Sequence, residues 1–271
     1  MLSAFGFFYF LFGTIIGSFL NVVISRHNTG IRLRGRSSCA TCARPLRPFE
    51  LIPIVSYLAL RGRCRTCGSH ISTQYPLVEL STGLLFLGIF LMDLVPVEEL
   101  FLAIAVSLLV IIFVYDTYHK IIPNTFVYAF SVLAFLLLFI DLETITFLVP
   151  SSGDLLAGPL LFTPFFLLWF VSSGKWMGLG DAKLSLGIGW FLGITQGISA
   201  IMIAFWLGAL VSVFLIVMPK VFRLTRLFSH SKSYTMKSEV PFAPFLIAGF
   251  LISLFFDIHV FSAFFSGWNF I

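Results

Sequence analysis

Ala4-Phe5-Gly6-Phe7-Phe8-Tyr9-Phe10-Leu11-Phe12-Gly13-Thr14-Ile15-Ile16-Gly17-Ser18-Phe19-Leu20-Asn21-Val22-Val23-Ile24-Ser25 contains no charged residue, and Arg26 ends it. A helix crossing the hydrocarbon core of a bilayer needs about 20 predominantly apolar residues, and this run supplies them. The same pattern recurs along the chain. Further apolar runs lie at about Pro76–Leu94, Leu100–Tyr115, Pro123–Ile140 and Leu155–Ser172, and a last one at about Pro241–Phe265. A tract from Asp181 to Met218 is too long for one helix and breaks near Gly193–Gly197. Read as two helices, it brings the total to eight transmembrane helices, so the expected fold class is an all-α polytopic membrane protein. The helix that starts at Asp181 is short. It is expected to be tilted, to begin inside the membrane, or to be approached by a partly buried stretch from Trp176. Of 271 residues, 59% are hydrophobic and only 11% charged, and the mean hydropathy is +1.03. A soluble domain carries about 25% charged residues; this chain cannot cover itself with polar surface in water. Its 34 phenylalanines are read as lipid-facing or packing residues. No basic segment precedes the first run, which is therefore expected to be kept as a span and not removed as a signal peptide.

The net charge of +5 could suggest nucleic acid, but the placement of the cations argues for topology instead. With eight spans, alternate loops share one side. The polar stretch Arg26–Tyr75 carries Arg26, Arg32, Arg34, Arg36, Arg44, Arg47, Arg61, Arg63 and Arg65; the linker Pro219–Glu239 carries Lys220, Arg223, Arg226, Lys232 and Lys237; Lys120, Lys175 and Lys183 complete the 17. All fall on one side. The other side receives Asp93, Glu98, Glu99, Asp141, Glu143 and Asp154. Cytoplasmic loops carry the excess of Lys and Arg, so both termini are expected to face away from the cytoplasm and no nucleic-acid partner is expected. The tract Arg32–Arg36 either engages anionic headgroups of the lipid bilayer or fixes topology. The expected domains are a first transmembrane helix (1–25), a cytoplasmic cysteine domain (26–75) and a seven-helix membrane domain (76–271).

All four cysteines lie in that polar stretch, as Cys39-Ala40-Thr41-Cys42 and Cys64-Arg65-Thr66-Cys67, a C-x2-C-x21-C-x2-C pattern. Two residues between cysteines let both sulfurs of a knuckle reach one tetrahedral ion, and two knuckles close a four-sulfur site of structural zinc type. A disulfide or an unmetallated site is the alternative; a reducing cytoplasm disfavours the disulfide. A closed site leaves no coordination position for water, so Zn2+ here would shape the domain and not catalyse. Gly62, Gly68, Pro45 and Pro48 suit tight turns around the knuckles.

Asp116 ends the third span, and Asp181 begins the sixth, within Gly178-Leu179-Gly180-Asp181. The topology puts both at one membrane depth. Ionisable groups there are costly and mark functional sites by default. A pair of neighbouring carboxyls can share one proton and serve as general base and general acid together, activating a water against a peptide carbonyl and protonating the leaving nitrogen. Gly178 and Gly180 would let a substrate backbone approach closely. The alternative makes Asp116 an interfacial cap and Asp181 the N-cap of its helix. Lys183 and Lys120 either balance carboxylate charge or fix helix ends. Glu79 either favours a helix N-terminus or receives a basic substrate segment. His119 is read as interfacial, and Asn21 as an interhelical hydrogen-bonding residue.

These residues resemble one known family. Gly178-Leu179-Gly180-Asp181-Ala182-Lys183-Leu184 matches the GxGDxKL motif of bacterial prepilin peptidases, and Tyr115-Asp116 with Pro123 seven residues on is similar to the family's first aspartate motif. Gly17-Ser18-Phe19-Leu20-Asn21 resembles its first span, Ile52-Pro53, Leu60-Arg61-Gly62-Arg63-Cys64 and Tyr75-Pro76-Leu77-Val78-Glu79 its cytoplasmic domain, and Pro241-Phe242-Ala243-Pro244-Phe245 its last span. The resemblance covers nearly the whole chain. It implies an aspartic endopeptidase of the bacterial inner membrane that removes the basic leader of type IV prepilins or type II secretion pseudopilins, with Asp116 and Asp181 as the catalytic pair. It also implies N-methylation of the new terminus with S-adenosylmethionine as methyl donor. Gly178, Gly180, Lys183 and Glu79 are the candidate substrate-binding residues. Tyr118 and Asn124 stand where many members carry acidic residues. Gly187-Ile188-Gly189 lies inside a span and does not read as a methyl-donor loop. Two rival functions are a proton-coupled transporter using the aspartates as a relay and a non-catalytic scaffold whose cysteine domain docks partners. The first is disfavoured because no repeat of broken helices is visible.

Overall fold

The structure is a computed structural model that describes residues 2–30, 35–142, 144–223 and 241–260. Arg32, Arg34, Glu143, most of the linker before Pro241 and the end of the last expected span lie outside the described residues. Eight α-helices are found among the described residues: α1 (Leu2–Arg26), α2 (Val55–Ala59), α3 (Gln74–Leu91), α4 (Pro96–His119), α5 (Asn124–Leu137), α6 (Ser152–Ser172), α7 (Leu179–Arg223) and α8 (Ala243–Phe255). Five of these (α1, α3, α4, α6 and α7) are long and apolar enough to cross a membrane, while α5 and α8 are shorter apolar helices. The only strands described are β1 (Ile140–Asp141) and β2 (Thr146–Phe147), an antiparallel pair with Ile140 opposite Phe147.

The chain packs as two compact units, one of residues 1–114 with 142–145 and one of 115–141 with 146–271. In the first, α1 lies along α3. Small residues make this possible, as they do between membrane helices generally. A Cβ on Gly13 would sit 2.9 Å from the Cα of Gly83, and one on Gly17 would sit 2.9 Å from the Cα of Glu79. Asn21 makes the hydrogen bond expected of it: its Nδ2 donates to the Tyr75 carbonyl at 3.1 Å.

In the second unit α7 packs against α5, α6 and α8. Gly193 has φ 74 and ψ −177, a combination essentially restricted to glycine. The chain reverses there. A Cβ on Gly197 would lie 3.8 Å from the Cα of Gly189, whereas eight residues along a straight helix span about 12 Å. The expected break therefore stands at Gly193, and α7 is a hairpin of two helices. Its first arm is buried against its neighbours. Ala182, Leu184, Ser185 and Ile188 are fully buried, and Ser185 donates to the carbonyl of Leu161 at 3.2 Å. Gly187 and Gly189 are packing residues: a Cβ on the first would meet Phe130 at 2.7 Å and one on the second the Ala157 carbonyl oxygen at 2.5 Å.

Candidate functional site

Asp116 lies one turn before the end of α4, buried at 4% exposure, and its backbone carbonyl accepts the N–H of Lys120 at 2.7 Å. Lys120 has φ 53 and closes the helix in the left-handed conformation common at helix C-termini. The polypeptide then runs through Ile122 and Pro123 into α5. Asp181 is the third residue of α7 and is 7% exposed. It is not the N-cap that one sequence reading allowed. Its carboxylate reaches back to accept the N–H of Gly178, the reverse half of a capping box.

The two carboxyl groups, distant in sequence, lie close enough for the charge of one to act on the other. Each keeps one buried oxygen, Oδ2 of Asp116 and Oδ1 of Asp181, that accepts no hydrogen bond from the described residues. Gly180 fits this approach through what it lacks: a Cβ there would come within 2.8 Å of the Ile122 Cβ. Gly178 is open towards Asp181, since a Cβ on it would lie 3.7 Å from Oδ2.

Lys183 turns to α5. Its Nζ donates to Asn124 Oδ1 at 2.9 Å and stands 5.0 Å above the Tyr128 ring. Asn124, the first residue of α5, thus supplies the acceptor. The sequence alone did not single out Ile122 or Tyr128; only the positions flanking Pro123 and Lys183 could have pointed to them.

Glu79 belongs to the first unit. It is 7% exposed and sits in the second turn of α3, not at its first residue. Its Oε2 accepts the N–H of Ile54 at 2.7 Å, and Ser18 also hydrogen-bonds it. It therefore joins α1, α3 and the segment between the cysteine knuckles.

The four cysteines form one cluster. Each knuckle is a tight backbone turn of the same design. Cys39 N–H donates to Arg44 O and Ala43 N–H to Cys39 O, at 3.0 and 2.9 Å; Cys64 N–H donates to Ser69 O and Gly68 N–H to Cys64 O, at 2.8 and 2.9 Å. Ala43 (φ 54) and Gly68 (φ 70) take the same left-handed place. The sulfurs of Cys39, Cys42, Cys64 and Cys67 all lie within 4.8 Å of one another, and no disulfide joins them. Zinc–sulfur bonds of about 2.3 Å in a tetrahedron place sulfurs about 3.8 Å apart; Cys39 and Cys67 are 3.8 Å apart. The donor set fits a tetrahedral thiophilic ion. Thiolate is the ligating form; it is favoured at Cys39 and Cys67, while the neighbouring sulfurs, Cys39 first, push the Cys42 thiol up to about 11. The N–H groups of Cys42 and Thr41 pull the Cys39 thiol down to about 5. The Ser69 hydroxyl lowers Cys67. Beside the cluster, Arg44 Nη2 pairs with Glu50 at 2.7 Å and holds that carboxyl below its usual range.

Comparison with known proteins agrees with this layout. Residues 11–92 match the family model described as bacterial peptidase A24 N-terminal domain, and residues 103–213 match the type IV leader peptidase family. Three relatives carry the name prepilin leader peptidase/N-methyltransferase. The one from Bacillus subtilis is 30% identical over 90% of this chain and 91% of its own length. That from Klebsiella pneumoniae is 35% identical over 69% and 85%, and that from Myxococcus xanthus is 36% identical over 78% and 63%. No solved structure matches the chain. The cysteine-bearing and aspartate-bearing halves thus each match their own part of one architecture, and the chain belongs to the type IV leader peptidase family.

Proposed function

We propose that this membrane protein is an aspartic endopeptidase that removes the basic leader of type IV prepilins or type II secretion pseudopilins, with Asp116 and Asp181 as its catalytic pair. One observation carries the assignment of residues: two buried carboxyls within range of each other's charge, each with an unpartnered oxygen. A water held between such oxygens loses a proton to one carboxylate as it attacks the scissile carbonyl. The other carboxyl hydrogen-bonds the carbonyl oxygen and then protonates the leaving nitrogen. Gly178 leaves space for an extended substrate backbone, Gly180 is closed off by Ile122 and serves the packing of α7 instead, and Lys183 fastens the start of α7 to α5 through Asn124. The distribution of Lys and Arg supports a cytoplasmic cysteine domain, with the leader cut at the cytoplasmic face of the inner membrane and both termini on the opposite side. The basic leader would approach from the cytoplasm.

Cys39, Cys42, Cys64 and Cys67 would hold a zinc ion whose role is to fix the two knuckles together. No step of peptide hydrolysis runs through it. N-methylation of the new terminus, which the relatives' names carry, is proposed as the second activity. Gly187 and Gly189 do not fit as a cradle for S-adenosylmethionine, because Phe130 and Ala157 fill the space beside them; no step of the transfer is derived.

The test is leader removal from a prepilin-like substrate by purified protein in detergent, for the wild type and for Asp116→Asn and Asp181→Asn. Loss of cleavage in both variants, with metal content and helicity intact, is the expected result. Cleavage at the wild-type rate would reopen the transporter and scaffold readings.

A further inference from the structure

The stretch joining the two cysteine knuckles carries apolar surface that a water-facing loop would not. Phe49, Val55 and Leu58 are 80%, 58% and 68% exposed, and Leu51 and Ile52 are 42% and 44% exposed. Contiguous apolar surface of this kind marks a site of contact with membrane or partner.

One hydrogen bond sets the level of this stretch along α3. Ile54 N–H donates to Glu79 Oε2 at 2.7 Å, and Glu79 lies five residues inside α3, about 8 Å along the helix from its start. Asn21 ties α1 to Tyr75 at the adjoining turn. The backbone is bent to make the first bond. Ile54 has φ 61 and ψ −52, and Val55 N–H donates to Pro53 O. This is a γ-turn of the rare, strained hand, with a β-branched residue where one is a genuine outlier. The chain therefore dips to the level of the second turn of α3 and is clamped there by a buried carboxylate. Over its first two turns α3 already exposes Tyr75, Leu77 and Leu80, at 40%, 61% and 40%. The loop thus brings further exposed apolar side chains to the end of α3 that already exposes such residues. Arg47, Arg61 and Arg63 are exposed on either side of the stretch, while the nearby Arg44 is paired with Glu50.

Apolar residues at the acyl boundary flanked by cations at headgroup level are the pattern of an interfacial element. We infer that residues 48–59 lie in the membrane surface, with Phe49, Val55 and Leu58 among the acyl chains and Arg47, Arg61 and Arg63 against anionic phospholipid headgroups. The cysteine knuckles then rest on the bilayer and do not project from it. This holds independently of which residues catalyse.

The experiment uses the full chain in vesicles of phosphatidylethanolamine and phosphatidylglycerol, with an environment-sensitive fluorescent amino acid at position 49, 58 or 70. Position 70 is an exposed histidine on the second knuckle. Metal content reports folding of each variant. Lipids brominated near the carbonyl end of the acyl chain are expected to quench the probes at 49 and 58 about threefold or more above the probe at 70, as an apolar face sunk into the headgroup boundary requires. Equal quenching at all three positions overturns the inference. So does quenching no stronger at 49 and 58 than at 70 combined with photocrosslinking from those positions to an added apolar substrate helix, which would give the surface to substrate. Replacing phosphatidylglycerol by a zwitterionic lipid is expected to weaken the quenching at 49 and 58.

Discussion

In the cysteine cluster each ligand is oriented by the turn on which it sits, and the two turns repeat one set of backbone hydrogen bonds. In the aspartate pair a local bond from Gly178 N–H holds the Asp181 carboxylate, but nothing nearby in sequence brings the two residues together. Asp116 ends one helix, Asp181 begins another, and their approach depends on glycine-lined packing of α7 against its neighbours and on the space that Gly180 leaves for Ile122. One site is written in local spacing and needs only an ion to close it. The other exists only once the membrane helices have packed.

Metal removal separates the two most sharply. Structural zinc contributes about 10–16 kcal/mol in zinc-finger peptides. Chelation, or Cys64→Ser, is therefore expected to unfold the knuckles while far-UV circular dichroism keeps the membrane helices. Collapse of the whole helical signal would show that the two regions are not separable. The aspartates come next. Asp116→Asn or Asp181→Asn is expected to lower the cleavage rate by about 10²–10⁴-fold with bound metal unchanged, as metal analysis alongside the cleavage assay would report. Gly180→Ala sharpens the dependence on packing. Its Cβ would overlap Ile122, and overpacking of this kind costs about 1–3 kcal/mol. Cleavage should fall while the cysteine cluster is untouched; an unchanged rate would mean that Gly180 does not set the approach of Asp181. Gly68→Ala and Ala43→Gly test the likeness of the two knuckles. The left-handed conformation costs a non-glycine residue about 1–2 kcal/mol, so the first should weaken metal retention in a chelator competition and the second should leave it equal or improve it. The smallest effect concerns Glu50. Its carboxyl is held low by Arg44, so the pair adds stability above the ordinary glutamate range of about 4.3 and loses it as pH falls through the folded value. Thermal melts of Glu50→Gln should fall below the wild type near neutrality and converge with it in acid.

How far the sequence could be read follows the same division. The cysteine cluster was legible because four cysteines at fixed spacing need only local turns, and Ala43 and Gly68 share a positive φ at the same place in each turn. The apolar runs located the helices because lipid leaves so few choices. The break in the long tract was legible as excess length, although only the backbone put it at Gly193. Counting spans leads to the expectation that the aspartates share one depth, but no count says that Asp116 and Asp181 come within range of each other's charge. The role of Lys183 was less accessible. Asn124 and Tyr128 are its partners, and nothing in the spacing distinguishes them from their neighbours. Glu79 was ambiguous for a physical reason: a carboxylate near a helix start reads alike whether it faces water, a ligand or, as here, a backbone amide from a distant loop.

The hairpin at Gly193 also has a consequence in parity. Each pass of a chain through a bilayer exchanges sides, so adding or removing one reversal changes the side of everything downstream. Here the reversal occurs without a connecting loop, at a backbone conformation that a Cβ disfavours. A substitution that straightened α7 would send the five basic residues between 219 and 239 to the opposite face, against the bias that keeps such residues in the cytoplasm. Accessibility labelling on both sides of position 193 would read the change. One absent side chain is what lets the two arms of α7 fold back on each other.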